Sequence, residues 1–244
     1  MESIIKIDNK IKLKSPILIE GLPGIGFIAN IATLHLRDEL KAEKFGEIIS
    51  PNFQDLAVTA DDKTFRTPIN EFYYWKNPKG LQDIIILCGN TQALNVYGQY
   101  ELCDKIINYA HDIGCELIIT IGGVEKNKVS NPPTLYCTAT DFETLNKVRS
   151  YGLDILQGHI YGVAGLLLGL ARIRGMKGFC VLAETNGDYP NVTAAKAVLE
   201  LLSKIIGINV NLDELKKVAD ETSGILESFK LSEIKKSDGF FGPV

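Results

Sequence analysis

Four short apolar runs punctuate the chain: Pro16-Ile-Leu-Ile-Glu20, Asp83-Ile-Ile-Ile-Leu-Cys88, Glu116-Leu-Ile-Ile-Thr-Ile121 and Gly178-Phe-Cys-Val-Leu-Ala183. Runs of this length without alternation suit strands buried on both faces. Between and after them the period lengthens to that of a helix. Phe27 to Leu40 is one such segment. Gln99 to Ile113 carries Leu102, Ile106, Ala110 and Ile113 on one face and is stopped by Gly114. Val163 to Ile173 reads as a buried helix, and Asn191 to Ile206 aligns Val192, Ala195, Leu199, Leu202 and Ile206. Asp213 to Leu226 predicts a last amphipathic helix, and Asp141 a cap for a short one through Val148. Shorter strands are expected at Glu47–Ser50, Leu56–Thr59, Glu71–Trp75 and Thr134–Thr138, and Gly122-Gly123 are expected to end the strand before them.

Strands alternating with helices predict an α/β protein: a three-layer α/β/α sandwich with a mostly parallel central sheet covered on both faces. No internal repeat or linker interrupts the pattern, so residues 1–229 read as a single α/β domain. The chain then turns polar, Ser232-Glu-Ile-Lys-Lys-Ser-Asp-Gly239, and finishes Phe240-Phe-Gly-Pro-Val244. Residues 230–244 are therefore expected to be a flexible tail, since the polar spacer has too little apolar surface to fold alone.

Composition narrows the function. With 45% hydrophobic and 23% charged residues over 244 positions, the chain can bury a core without disulfides or metals. A net charge of −4 argues against a nucleic-acid partner. The five cysteines are scattered with no CxxC pair, and there are three histidines, which does not make a zinc site. Buried thiols in a reducing, cytoplasmic setting are the expectation. The first residues, Met1-Glu-Ser-Ile-Ile-Lys6, do not read as a signal peptide. Ile160 to Ala171, the most apolar stretch, is too short to span a bilayer, so no membrane partner is expected. No cofactor is expected either.

The candidate chemistry lies at the strand ends. Gly21-Leu-Pro-Gly-Ile-Gly26 joins a strand to a helix, but its GxxGxG spacing is not the GxGxxG of a dinucleotide site, and no Lys-Ser/Thr follows to make a phosphate loop. Close packing of strand on helix is its first reading, an anion site at the helix start its second. Gly122-Gly123-Val124 ends another strand, where ligands collect in open α/β sheets. Glu184 and Asp188, four residues apart, suit an acid/base pair or a metal site, or else a turn at Asn186-Gly187 leading to a cap at Asn191. The candidate cleft lining is thus Gly24, Gly26, Gly123, Glu184 and Asp188. Spacing supplies no nucleophile–base pair, and His35, His111 and His159 stand alone, so no catalytic residue is assigned. Gly162, Gly165 and Gly169 make one helix face that admits another backbone, from the same chain or a second copy. In the tail, Phe240, Phe241 and Val244 are the candidate partner-binding residues, because apolar groups on a polar tether need a reason.

Taken together, Ile19-Glu-Gly-Leu-Pro-Gly-Ile-Gly26, Ile121-Gly-Gly-Val124, Gly162-Val-Ala-Gly-Leu-Leu-Leu168 and Leu182-Ala-Glu-Thr-Asn-Gly-Asp-Tyr-Pro-Asn191 resemble the hallmarks of the proteasome assembly chaperone family, in its archaeal and bacterial branch. The resemblance covers roughly Ile17 to Leu226. It implies an α/β/α sandwich related to purine nucleoside phosphorylase-like folds, homo-oligomers, and an ATP-independent role in bringing proteasome α subunits into rings. Some members dock a C-terminal hydrophobic-Tyr-X ending; this chain ends Phe-Gly-Pro-Val instead. The expected function is therefore a non-catalytic assembly chaperone. The alternative that the residues leave open is a small-molecule enzyme, phosphorylase- or hydrolase-like, using the cleft at the strand ends.

Overall fold

The computed structural model describes residues 2–8, 11–59, 64–187, 190–215 and 217–218. In chain order the first elements are β1 (Ile4–Ile7), β2 (Ile17–Gly21), a 3-10 turn (Ile25–Phe27), α1 (Ile28–Glu39) and β3 (Glu43–Ile49). Next come β4 (Val58–Thr59), β5 (Phe65–Arg66), β6 (Asn70–Trp75), β7 (Ile84–Gly89), α2 (Val96–Asp112) and β8 (Leu117–Glu125). The remainder are β9 (Leu135–Ala139), α3 (Phe142–Arg149), β10 (Asp154–Ile155), α4 (Gly162–Ile173), β11 (Gly178–Thr185) and α5 (Val192–Ile206). The helix expected at Asp213–Leu226 falls mostly, and the tail at 230–244 wholly, outside the described residues.

Among the described residues nine strands form one sheet in the order β1-β3-β6-β7-β2-β8-β11-β9-β10, and β4 pairs with β5 separately. The four apolar runs are its parallel centre, β7-β2-β8-β11. Antiparallel strands extend both sides: β6, β3 and β1 beyond β7, and β9 beyond β11. β10 then pairs parallel with β9.

Alternate side chains of the central strands feed two separate cores. Ile17 and Ile19 of β2 face α1 and α5, with Ile119, Ile121, Phe179 and Val181. Leu18 faces the other way, with Ile85, Leu87 and Ile118, against α2 and α4. The helices cover both faces, and the three-layer sandwich follows from strands that are apolar on both faces over most of their length. Each fully buried Ile or Leu contributes roughly 1.5–3 kcal/mol, which makes these strands the rigid frame.

Helix starts follow the expected caps. The Asp141 carboxylate accepts from Thr144 N at 2.8 Å, and Asn191 Oδ1 accepts from Ala194 N at 2.9 Å. α2 begins three residues before Gln99, because Asn95 caps it through Gly98 N at 2.7 Å. The one boundary that differs in kind is Gly122-Gly123. They do not end β8, which pairs with β11 on through Glu125. A Cβ on Gly122 would lie 2.6 Å from Leu182 Cδ2, and one on Gly123 2.5 Å from the Ile25 carbonyl oxygen. These glycines are in the strand because neighbours crowd it, not because it stops.

Candidate functional site

Sheet order sets the place to look. After β2 the chain returns to one side of it as β7, then α2 carries it across to the other side as β8. Neighbouring parallel strands thus lead away in opposite directions, and in open α/β sheets the ligand crevice lies beyond the carboxyl ends at such a switch point. A cleft of about 410 Å³ opens there, lined by β2 and the glycine turn (Glu20, Leu22, Gly24, Ile25), β8 (Ile121, Gly122, Gly123), and the start of α4 with its preceding loop (His159, Tyr161).

The glycine turn is built by close approach. A Cβ on Gly21 would fall 2.3 Å from Thr33 Cγ2 and 2.5 Å from the Ala29 carbonyl oxygen, so β2 seats on α1 only with glycine there. Thr33 Oγ1 donates to the Ala29 carbonyl at 2.9 Å and lies 3.1 Å from the Gly21 carbonyl. Gly26 takes φ +67°, and its carbonyl accepts from Asn191 N at 2.9 Å, tying the turn to the start of α5. Gln92 ties the turn to α4: its Nε2 donates to the Pro23 carbonyl at 2.6 Å and its Oε1 accepts from Val163 N at 3.1 Å.

Two carboxyls occupy this end of the sheet. Glu20, the last side chain of β2 before Gly21, is 1% exposed. Its Oε1 accepts from Leu22 N at 2.8 Å, and its Oε2 has no partner among the described residues. Burial pushes its pKa up to about 8, against the smaller opposing pull of the Leu22 N–H. Glu184 on β11 is surrounded by donors. Ser130 Oγ, Ser130 N and Thr134 N donate to Oε2, the amides at 3.2 Å, and Tyr136 OH donates to Oε1 at 3.0 Å. The Ser130 hydroxyl first, helped by the other donors, holds its pKa at about 2.

The same fold occurs in known proteins. Residues 18–230 match the model of the PAC2 family. The chain belongs to the PAC2 family. It superposes on PbaB of Pyrococcus furiosus, an archaeal proteasome activator, with a TM-score of 0.84 and 34% identity, covering 94% of this chain and 99% of that one. Pyrococcus furiosus PbaA, an archaeal homologue of proteasome-assembly chaperone, superposes with a TM-score of 0.76 and 26% identity over 93% and 99% of the two chains. The protein MJ1210 of Methanocaldococcus jannaschii is 37% identical over 235 residues, covering 93% of this chain and 89% of that protein.

On this PAC2 frame the expected cleft residues separate. Gly24 and Gly123 border the cleft. Gly26 lies behind it, against Ile28 and Thr185. Glu184 is not in the lining; the loop between β8 and β9 wraps its carboxylate. Asp188 lies outside the described residues, as do Phe240, Phe241 and Val244. Of the glycines on α4, Gly165 abuts the Ile160 carbonyl of its own chain, while Gly169 faces open space. The histidines stay apart: His35 is buried with Nε2 2.5 Å from the Asn211 carbonyl, His111 is exposed, and His159 stacks on Tyr161.

Glu20 is the buried carboxyl that the search for acid/base pairs passes over. Its signal was a lone carboxylate closing an apolar strand, a position where burial is otherwise costly. All five cysteines are free and buried, and burial raises the Cys88 and Cys180 thiols to about 12. Among the described residues no three His, Cys, Asp or Glu side chains group as a metal site, and no helix is long and apolar enough to cross a membrane.

Proposed function

We propose that this chain is a non-catalytic, ATP-independent assembly chaperone that binds proteasome α subunits as a homo-oligomer and promotes α-ring assembly in the cytoplasm. The observation that carries this reading is the likeness to PbaB and PbaA over nearly the whole chain. Two features of the molecule support it. Its thiols are buried and protonated, and Glu184 is spent on donors, so neither offers an activated nucleophile or base. At the end of α2 and α4 nearest the cleft, Leu94, Val96, Tyr97, Tyr100 and Tyr161 are each more than half exposed. Clustered aromatic and aliphatic surface of this kind favours protein–protein contact. Phe240, Phe241 and Val244 of the tail are proposed to add to the partner contact.

PbaB is an archaeal proteasome activator, and its higher identity favours a second reading, in which the chain engages the assembled proteasome. Native mass spectrometry decides between them. The full chain, and one lacking residues 230–244, are mixed with α subunits and separately with assembled particles. Capture of free α subunits and faster ring formation fit the chaperone. Capture of assembled particles alone fits the activator. Capture of neither removes both.

A further inference from the structure

The cleft at the switch point has an unmet hydrogen bond at Glu20. Oε1 is held by the Leu22 N–H, while Oε2 is buried and without a partner among the described residues. An unsatisfied buried oxygen costs about 1–3 kcal/mol. Evolution tolerates that cost where something else supplies the partner, and here the carboxyl lines the cleft. A volume of about 410 Å³ suits a one- or two-ring organic molecule.

The walls define what fits. Leu22, Ile25, Ile121, Val124, Ile160 and Leu182 make them largely apolar. None of the described lining residues is Lys or Arg, and the acidic ones are Glu20 and Glu125. An anion such as phosphate would therefore meet no counter-charge. We propose that the cleft binds a small uncharged organic molecule whose carbonyl or ring-nitrogen acceptor takes a hydrogen bond from the Glu20 carboxyl at Oε2. Its apolar body lies against Leu22, Leu182 and Ile160. This goes beyond the partner-binding reading and stands or falls separately from it.

Protonation gives the proposal a direction. Burial keeps Glu20 in the neutral, donating form until about pH 8. The titratable groups around it are Cys103 on α2 and Cys180 on β11, both with raised pKa, together with Glu125 and His159 in the lining. Below pH 8 the carboxyl donates; above it, an ionised oxygen repels the same acceptor.

The test uses three ring-sized probes with different heads: N-methyl-2-pyridone (a lactam carbonyl with no N–H, called 2-pyridone below), benzylamine (a cation at neutral pH) and benzoate (an anion). Ligand-observed NMR and calorimetry on the full chain measure each below and above pH 8. We expect saturable 2-pyridone binding, at least about tenfold tighter than either other probe. It should weaken more than about tenfold well above pH 8, as the donor ionises. Glu20→Leu should weaken it about tenfold or more, whereas Glu20→Gln, whose amide still donates, should bind within about threefold of the parent and lose the pH dependence. A thermal melt of each variant establishes folding, and the isosteric Gln variant keeps the test valid should Leu fail. Absence of saturable 2-pyridone binding at about 10 mM, preference for benzylamine or benzoate, or a folded Glu20→Leu that binds as well as the parent would each overturn the proposal.

Discussion

Glu20 and Glu184 stand at the same end of the sheet, on β2 and β11 with β8 between them, yet their surroundings are opposite. Around Glu184 the loop between β8 and β9 supplies two amides and a hydroxyl, and β9 a tyrosine. Around Glu20 the glycine turn supplies one amide, while Thr120 across the sheet and the Cys103 and Cys180 thiols leave Oε2 without a partner among the described residues. One carboxylate is ionised deep into acid; the other stays protonated through neutrality. The difference shows that chemistry at this end of the sheet is set by what each loop brings back to the strand. The glycine turn is compact enough to leave a cleft, while the β8–β9 loop fills its own side and closes it.

That contrast can be broken at its base. Gly21→Ala places a Cβ against the Ala29 carbonyl and Thr33, so β2 must lift from α1. The expected loss in stability is about 3 kcal/mol by urea unfolding. On the satisfied side, Glu184→Gln turns an acceptor surrounded by donors into a group that also donates, and should cost about 2 kcal/mol. On the unsatisfied side the change should be small. Glu20→Leu removes the orphan oxygen but also the acceptor of the buried Leu22 N–H, so the two nearly offset and stability at pH 8 should move by less than about 1 kcal/mol.

The pH dependence sharpens the same comparison. Glu20 has a raised folded pKa, so the folded state holds its proton from 4.5 up to about 8 while the unfolded state loses it. Stability should therefore fall as pH rises through that window, by at most about 1.4 kcal/mol per unit, and Glu20→Gln should flatten the slope. Glu184 has a depressed folded pKa, so its contribution is present above 4.5 and lost as pH falls toward about 2. Denaturation midpoints across pH for the parent and both Gln variants separate the two.

Much of the frame was legible because the apolar runs admit one arrangement. Ile17–Ile19, Ile84–Cys88, Leu117–Ile119 and Phe179–Ala183 are apolar on both faces, and a strand of that kind belongs at the centre of a parallel sheet. Asp141 and Asn191 marked helix starts because their side chains reach the free amides of the first turn. The edge strands were less legible. β1 is short and half exposed and β10 is shorter and exposed, so their pairing rests on tertiary contact rather than pattern. Gly122 and Gly123 misled because a glycine needed for crowding in a strand looks, in sequence, like one needed for a turn. The site was legible in location but not in chemistry. Gly24 and Gly123 pointed to the strand ends, whereas Glu184 drew attention through its acidic neighbour and is occupied by its own loop. Glu20 was marked in sequence only as a carboxylate closing an apolar strand, and the donors it lacks show only once the strand is packed.

The cleft holds a neutral, donating carboxyl at Glu20, while Glu184 on β11, beyond β8, stays ionised. Carbon-detected NMR of the glutamate side-chain carboxyls, followed from acid to base and assigned with the two Gln variants, measures this directly. One resonance should titrate near pH 8 and vanish in Glu20→Gln, and one should stay ionised well below pH 4.5 and vanish in Glu184→Gln. If both instead titrate together near 4.5, the contrast between the two regions is wrong.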